Sequence, residues 1–139
     1  MQSGRRFRGA AGPSHGCVVT DRDLYERAVA VSERAYAPYS KFHVGAAVLA
    51  RDGRVIEGVN VENAAYPLGI CAEKSALARA IAEGHRPGDF EAIAITASPC
   101  GGCRQWLVEL ALERVTYARA AGEVVTVRPD ELLPDTFEL

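Results

Sequence analysis

Three cysteines stand in two short pieces of the chain. Cys71-Ala72-Glu73 is followed, after 25 intervening residues, by Pro99-Cys100-Gly101-Gly102-Cys103. Three thiolates can bind a zinc ion and leave its fourth tetrahedral position open to water, which is the arrangement of a catalytic site rather than a closed structural one. Zinc held in this way lowers the pKa of bound water to roughly 7. Glu73, two residues past the first cysteine, is placed to move protons without binding the metal. Three thiolates on a dication leave one negative charge over. Lys74 and Arg104, each directly after a motif residue, are the cations expected to donate hydrogen bonds to the thiolates and offset that charge.

Other readings of the same residues exist. A glutamate in the first turn of a helix is favoured by the helix dipole alone. Cys17 could close a structural site as a fourth ligand, and a C-x2-C pair could be a redox dithiol. Cys17, however, belongs to no metal-like pair and reads as a bystander thiol. His15, His43 and His85 lack paired ligand spacing.

The elements that must position these residues follow from pattern. Residues 21–36 read as a helix with Leu24, Ala28, Val31 and Ala35 on one face, Thr20 as its cap and Pro38 as its stop. Residues 44–49 and 55–59 are apolar runs around an Asp52-Gly53 turn, a hairpin. A loop from Asn60 to Ile70 leads into a helix over 72–83, closed by Gly84. Residues 92–96 form a buried strand, 101–112 a helix, and 115–117 and 124–127 short strands. This order predicts an α/β layered domain with helices packed on a mixed sheet. It also puts each cysteine piece at a helix N-terminus. The free N–H groups and partial positive charge there favour thiolates.

Composition narrows the function class. The chain has 139 residues, 48% apolar and 24% charged, with a net charge of −2, which fits one ordinary globular domain. Residues 1–19 carry Arg5, Arg6 and Arg8 and no acid, and read as a disordered basic arm ahead of a single catalytic domain over 20–139. No apolar run approaches the roughly 18 residues of a membrane span. The start lacks the apolar core of a secretory signal, so a reducing cytoplasm is expected. Neither a phosphate-binding loop nor a basic track with stacking aromatics accompanies the motifs, so no nucleic acid polymer is expected as partner.

The C-x-E and P-C-x2-C pieces resemble the pattern of zinc nucleobase deaminases in its three-cysteine form. Further pieces narrow the likeness: Tyr36-Ala37-Pro38-Tyr39-Ser40-Lys41-Phe42-His43-Val44-Gly45, Gly58-Val59-Asn60-Val61-Glu62-Asn63-Ala64, Ser98-Pro99-Cys100 and Glu131-Leu132-Leu133-Pro134. From about Ala35 to Phe137 the chain resembles the homotetrameric cytidine deaminases. The resemblance implies a three-layer α-β-α fold with a central mixed five-stranded sheet and helices on both faces. It implies one Zn²⁺ per chain on Cys71, Cys100 and Cys103, with Glu73 as proton shuttle. It also implies a small nucleoside substrate, cytidine or 2′-deoxycytidine in pyrimidine salvage. Phe42 would lie against the pyrimidine, Asn60 and Glu62 would take the ribose 3′-hydroxyl, and the Ala72 N–H would meet the carbonyl at position 2. Tyr66 and Phe137 resemble aromatics that reach a neighbouring subunit's pocket, hence the implied homotetramer.

Three departures accompany the likeness. Lys74 stands where the family usually has an arginine, losing the planar fork while keeping the charge. The stretch from Thr96 to Ser98 is short, which predicts room for N4-substituted cytidines. Trp106 is bulky for its place and is expected to serve helix packing or a subunit contact. Competing readings are a deaminase of a nucleoside-like compound such as blasticidin S, a non-catalytic structural zinc protein, and nucleic acid editing through the Arg5–Arg8 arm.

Overall fold

A computed structural model describes residues 18–138. Cys17, His15 and the arginines of the basic arm lie outside the described residues. The elements run α1 (Asp21–Ser32), β1 (Gly45–Ala50), β2 (Val55–Val59), α2 (Ala72–Ala82), β3 (Phe90–Ile95), α3 (Gly101–Glu109), β4 (Arg114–Ala118), β5 (Val124–Val127) and the single turn α4 (Pro129–Leu132).

The strands form one five-stranded sheet in the order β2-β1-β3-β4-β5. All neighbours are antiparallel except β3 and β4. That parallel pair needs a crossover, which α3 supplies. Helices cover both faces. On one, Leu24 and Ala28 of α1 pack on Ala47, Leu49, Ala92 and Ala94. On the other, Ala72, Ala76, Leu77 and Ala80 of α2 and Leu107 of α3 pack on Val48, Ile93, Ile95 and Val115. Because both faces are covered, all six residues of β1 are buried, whereas the edge strand β2 alternates. The α/β layered class and the mixed five-stranded sheet are as the sequence predicts.

Two glycines set how near the helices come. A Cβ on Gly45 would lie 2.0 Å from the Ala28 carbonyl oxygen of α1, and one on Gly58 would lie 2.3 Å from the Ala76 nitrogen of α2. Small residues on the helix side match them: Ala72, Ala76 and Ala80 recur every four residues along the buried stripe of α2. Backbone against backbone seats α2, and with it Cys71 and Glu73, directly on the hairpin.

The element boundaries differ from the sequence pattern in instructive ways. The capping of α1 is as predicted, and reciprocal: Thr20 Oγ1 accepts from the Asp23 N–H at 3.1 Å, and the Asp23 carboxylate accepts from the Thr20 N–H at 3.0 Å. The helix ends at Ser32 rather than at residue 36. Tyr36 donates its N–H to the Asn60 carbonyl and accepts from the Glu62 N–H, so its backbone is spent on a bridge to Val61. Pro38 also biases the residue before it away from helix. At the other end of the chain, α3 stops at Glu109, short of residue 112. Ala111 takes a left-handed φ of 56°. Leu112 N–H then reaches the Leu107 carbonyl and Ala111 N–H the Val108 carbonyl, a Schellman cap with alanine where glycine is usual. Leu110 and Leu112 are both buried as a result.

Gly58→Ala is expected to destabilise the protein by about 1–3 kcal/mol, as overpacking against fixed backbone does. Gly101→Ala, whose new methyl meets open space, should cost nothing and gain up to about 1 kcal/mol of helix propensity. Denaturant unfolding of the two variants checks the contrast, and equal midpoints would show that α2 can retreat from the hairpin.

Candidate active site

The N-termini of α2 and α3 meet beyond the C-terminal end of β3. Cys71 is the N-cap residue of α2 and Cys100 the N-cap residue of α3, both in extended conformation. Cys103 lies in the first turn of α3 and is fully buried. The three sulfurs all lie within 4.8 Å of one another, and Cys71 Sγ is 3.9 Å from Cys100 Sγ. The Cys103 N–H donates to Cys100 Sγ at 3.5 Å, a helix cap made by sulfur. Neither His43 nor His85 belongs to this cluster. His85 is buried elsewhere, its ring nitrogens 3.2 Å from the Ala80 carbonyl and 3.0 Å from the Asp52 carboxylate.

The donor set fits zinc. Zn–S bonds of about 2.3 Å at tetrahedral angles separate sulfurs by about 3.8 Å, close to the observed 3.9 Å. Electrostatics point the same way. Burial pushes the Cys71 thiol up, and it pushes Cys103 up further, where the Glu73 carboxylate adds to the effect. At Cys100 burial opposes ionisation too, but the Cys103 N–H and the neighbouring thiols hold it below its ordinary value. A cation is the group that lets such a cluster ionise together.

Glu73 lies in the first turn of α2 and is only 3% exposed. Burial raises its carboxyl above the usual range, opposed by the Cys103 thiol, its own backbone N–H and the charge of Lys74. The Lys74 ammonium stands over the glycine turn, 3.5 Å from where a Gly102 Cβ would sit; that point is also 4.0 Å from Cys100 Sγ. Its place beside the cysteine turn suits the expected charge offset. Arg104 differs from expectation. Its Nε–H donates to the Pro99 carbonyl at 3.0 Å and its Nη1–H to the Leu132 carbonyl at 3.2 Å. Carbonyls on two sides capture the planar fork, so its hydrogen bonds go to backbone rather than to sulfur.

A cavity of about 930 Å³ opens over Cys71, Ala72, Glu73 and Cys100. Phe42, Asn60, Glu62 and Tyr66 stand in its walls, together with Ala97 and Ser98 from the short segment before Cys100. Ala72 is fully buried at the first position of α2, where a backbone N–H has no intrahelical acceptor. Asn60 and Glu62 organise the opposite wall. Asn60 Oδ1 accepts from the Val44 N–H at 2.8 Å, and its Nδ2 donates to the Phe42 carbonyl at 2.8 Å. Glu62 Oε1 accepts from the Tyr39 and Ser40 N–H groups at 3.0 and 3.1 Å. Hydrogen bonds from Ser40 lead in holding that carboxyl below the usual range, and Lys41 contributes. An amide with one Nδ2–H beyond its bond to Phe42 and a carboxylate therefore stand in the same wall, groups able to donate to and accept from a hydroxyl.

Tyr66 lies in a 3₁₀ turn at the rim of this chain's own cavity and is 91% exposed. Phe137, 74% exposed, is not among the residues lining that cavity. Sequence reading did not single out Tyr39, Ser40, Val44 or Ile70 as walls. The stretch 60–70 read as a plain loop, yet Val61 and Ile70 exchange both backbone hydrogen bonds, which folds it over the cavity. Nothing in their residue types signals that pairing.

The family model for the cytidine and deoxycytidylate deaminase zinc-binding region matches residues 18–119. A cytidine deaminase from Halalkalibacterium halodurans is 45% identical over 122 residues, covering 82% of this chain and 91% of its own. One from Sporosarcina psychrophila is 42% identical over 113 residues, covering 76% and 82%. The crystal structure of cytidine deaminase from Burkholderia pseudomallei superposes with a TM-score of 0.79 at 46% identity, covering 85% of this chain and 99% of that one.

Glu62→Ala should accelerate amide exchange at Tyr39 and Ser40, which lose their common acceptor, while Glu62→Gln keeps an oxygen there and most of the protection. Residue-resolved hydrogen exchange reads this. Unchanged rates in the alanine variant would mean that the 39–42 segment is held by something other than Glu62.

Proposed function

The chain belongs to the cytidine and deoxycytidylate deaminase family, and from that premise we propose that it hydrolyses cytidine and 2′-deoxycytidine to the uridines and ammonia, in cytoplasmic pyrimidine salvage. One observation carries the reading. Three cysteine sulfurs lie within 4.8 Å of one another, and two of those cysteines, Cys71 and Cys100, line one cavity with the buried Glu73, Asn60, Glu62 and Phe42.

In this reading Cys71, Cys100 and Cys103 hold one zinc ion, whose contribution when bound is to make water a nucleophile at neutral pH. Glu73 takes a proton from the attacking water and delivers it to ring N3 as the C4–O bond forms. It then carries the remaining proton to the exocyclic amino group, the C4–N4 bond breaks, and ammonia leaves behind a carbonyl at position 4. Enclosure of Glu73 keeps bulk water from taking over these transfers. The Ala72 N–H serves the carbonyl at position 2, and Phe42 covers the face of the ring. Asn60 Nδ2 and the Glu62 carboxylate take the 3′-hydroxyl, which both donates and accepts. Lys74 offsets the charge of the trithiolate.

The catalytic domain spans residues 20–139 and works as a homotetramer. Support comes from the exposed apolar rim of Tyr39, Phe42, Tyr66 and Ile70 around the cavity, a surface that a monomer would leave wet. In the assembly Tyr66 and Phe137 would contribute to neighbouring sites. With only Ala97 and Ser98 between Thr96 and Pro99, N4-alkyl or N4-acyl cytidines should be accepted as substrates or inhibitors. Absence of both turnover and inhibition, beside active cytidine turnover, would remove that extension.

The purified protein is expected to carry about one zinc per chain and to change the ultraviolet absorbance of both nucleosides. Glu73→Gln should keep the zinc and lose on the order of 10²–10⁴-fold in kcat, the range of general acid–base catalysis. A zinc-loaded protein that turns over neither nucleoside would refute the proposal.

A further inference from the structure

The Arg104 guanidinium ties three separate pieces of chain together. Its bond to the Pro99 carbonyl runs from the first turn of α3 back to the residue ahead of the N-cap. It thereby closes a ring of chain that contains both Cys100 and Cys103. Its bond to the Leu132 carbonyl reaches across to α4. There Pro129 is buried and Leu132 packs against the main core, so the far end of the tie is anchored.

The cysteine turn needs such an external tie. It opens with Gly101-Gly102, and glycine is about 1 kcal/mol poorer than alanine in a helix. Within the turn, the Cys103 N–H meets the large, weakly accepting Cys100 sulfur at 3.5 Å, and the Arg104 N–H meets the Cys100 carbonyl at 3.0 Å. Cys100 itself is exposed. A planar fork holds two carbonyls from separate nitrogens in a fixed geometry; a lysine at this place keeps the charge but loses the fork.

We propose that Arg104 is a positioning residue for the Cys100–Cys103 pair, and that the C-terminal turn Pro129–Leu132 is part of the same support. Loss of either end of the tie lets the pair spread and shortens the retention of a bound metal. The inference rests on the reading that the three cysteines hold zinc, and not on which nucleoside is the substrate.

The experiment follows zinc release from the loaded full-length protein into a chromophoric chelator, beside thermal unfolding of the zinc-free forms. Arg104→Ala and a chain ending at Val127 should each release zinc about tenfold faster, the low end for groups that support metal ligands. The double variant should be no faster than either single one, because both cut the same tie. A chain ending at Leu133, which retains the Leu132 carbonyl, should release zinc at the parental rate. Arg104→Lys covers the case in which the shorter chains fail to fold. It should release zinc faster than the parent while its zinc-free form unfolds at a closely similar temperature, which a purely structural role would not produce. Release at the parental rate from both Arg104 variants overturns the inference, as do effects that multiply in the double variant. Zinc uptake without nucleoside turnover defeats the proposed activity but leaves this inference standing, and a parent chain that takes up no zinc defeats both.

Discussion

Three sulfurs and a carboxylate crowd into a few ångströms where two helices begin, and groups that ionise to the same sign do not gather there unless something positive compensates. Much of the architecture can be understood as meeting that electrostatic demand. Cys71 and Cys100 are both N-cap residues, so the partial positive ends of α2 and α3 point at the cluster. The Lys74 ammonium lies beside the glycine turn. The remaining compensation is the cation that the spacing of the sulfurs fits, and with it the sulfurs become ligands rather than mutually suppressed thiols.

Bringing two helix ends together in this way places demands on the sheet. α2 can sit where it does because Gly58 lets backbone approach backbone, as Gly45 does for α1 on the opposite face of the hairpin. α3 begins where it does because β3 and β4 are parallel and need a crossover, whose first helical turn carries Cys100 and Cys103. The cluster therefore lies beyond the carboxyl end of β3, where α/β sheets commonly hold their ligands. The opposite wall of the cavity is organised by side chains acting on backbone. Asn60 brackets Phe42 and Val44, and Glu62 gathers the N–H groups of Tyr39 and Ser40. The residues proposed to read the sugar thus also hold the segment proposed to cover the base, which makes the two halves of the pocket mechanically one.

Much of the frame was legible in the residues. The hairpin around Asp52-Gly53, the two helices behind the cysteine pieces and the later strands all follow from periodicity and turn residues. These features are local, and local propensity agrees with the fold there. The boundaries that depart from the sequence pattern have a common cause. Tyr36 leaves the helical pattern because the chain around Val61 captures its backbone. α3 ends early because Ala111 adopts a left-handed turn that residue type does not advertise. Partners distant in sequence, or a conformation unusual for the residue, decided both.

The same division runs through the site. The amino-acid sequence alone determined the chemistry on offer: three thiols and a carboxylate in a spacing that suits zinc and proton transfer, and an amide and carboxylate suited to a hydroxyl. Those are properties of residue type and local order, which the sequence states directly. Tertiary structure alone decided where the donors and acceptors point. It committed Arg104 to the Pro99 and Leu132 carbonyls and spent an oxygen of Glu62 on the Tyr39 and Ser40 N–H groups. It also set Tyr66 at the rim of the cavity and kept Phe137 out of its walls. The physical reason is that a hydrogen bond is directional and short, so a polar group's role is assigned by which partner the fold brings within about 3 Å of it.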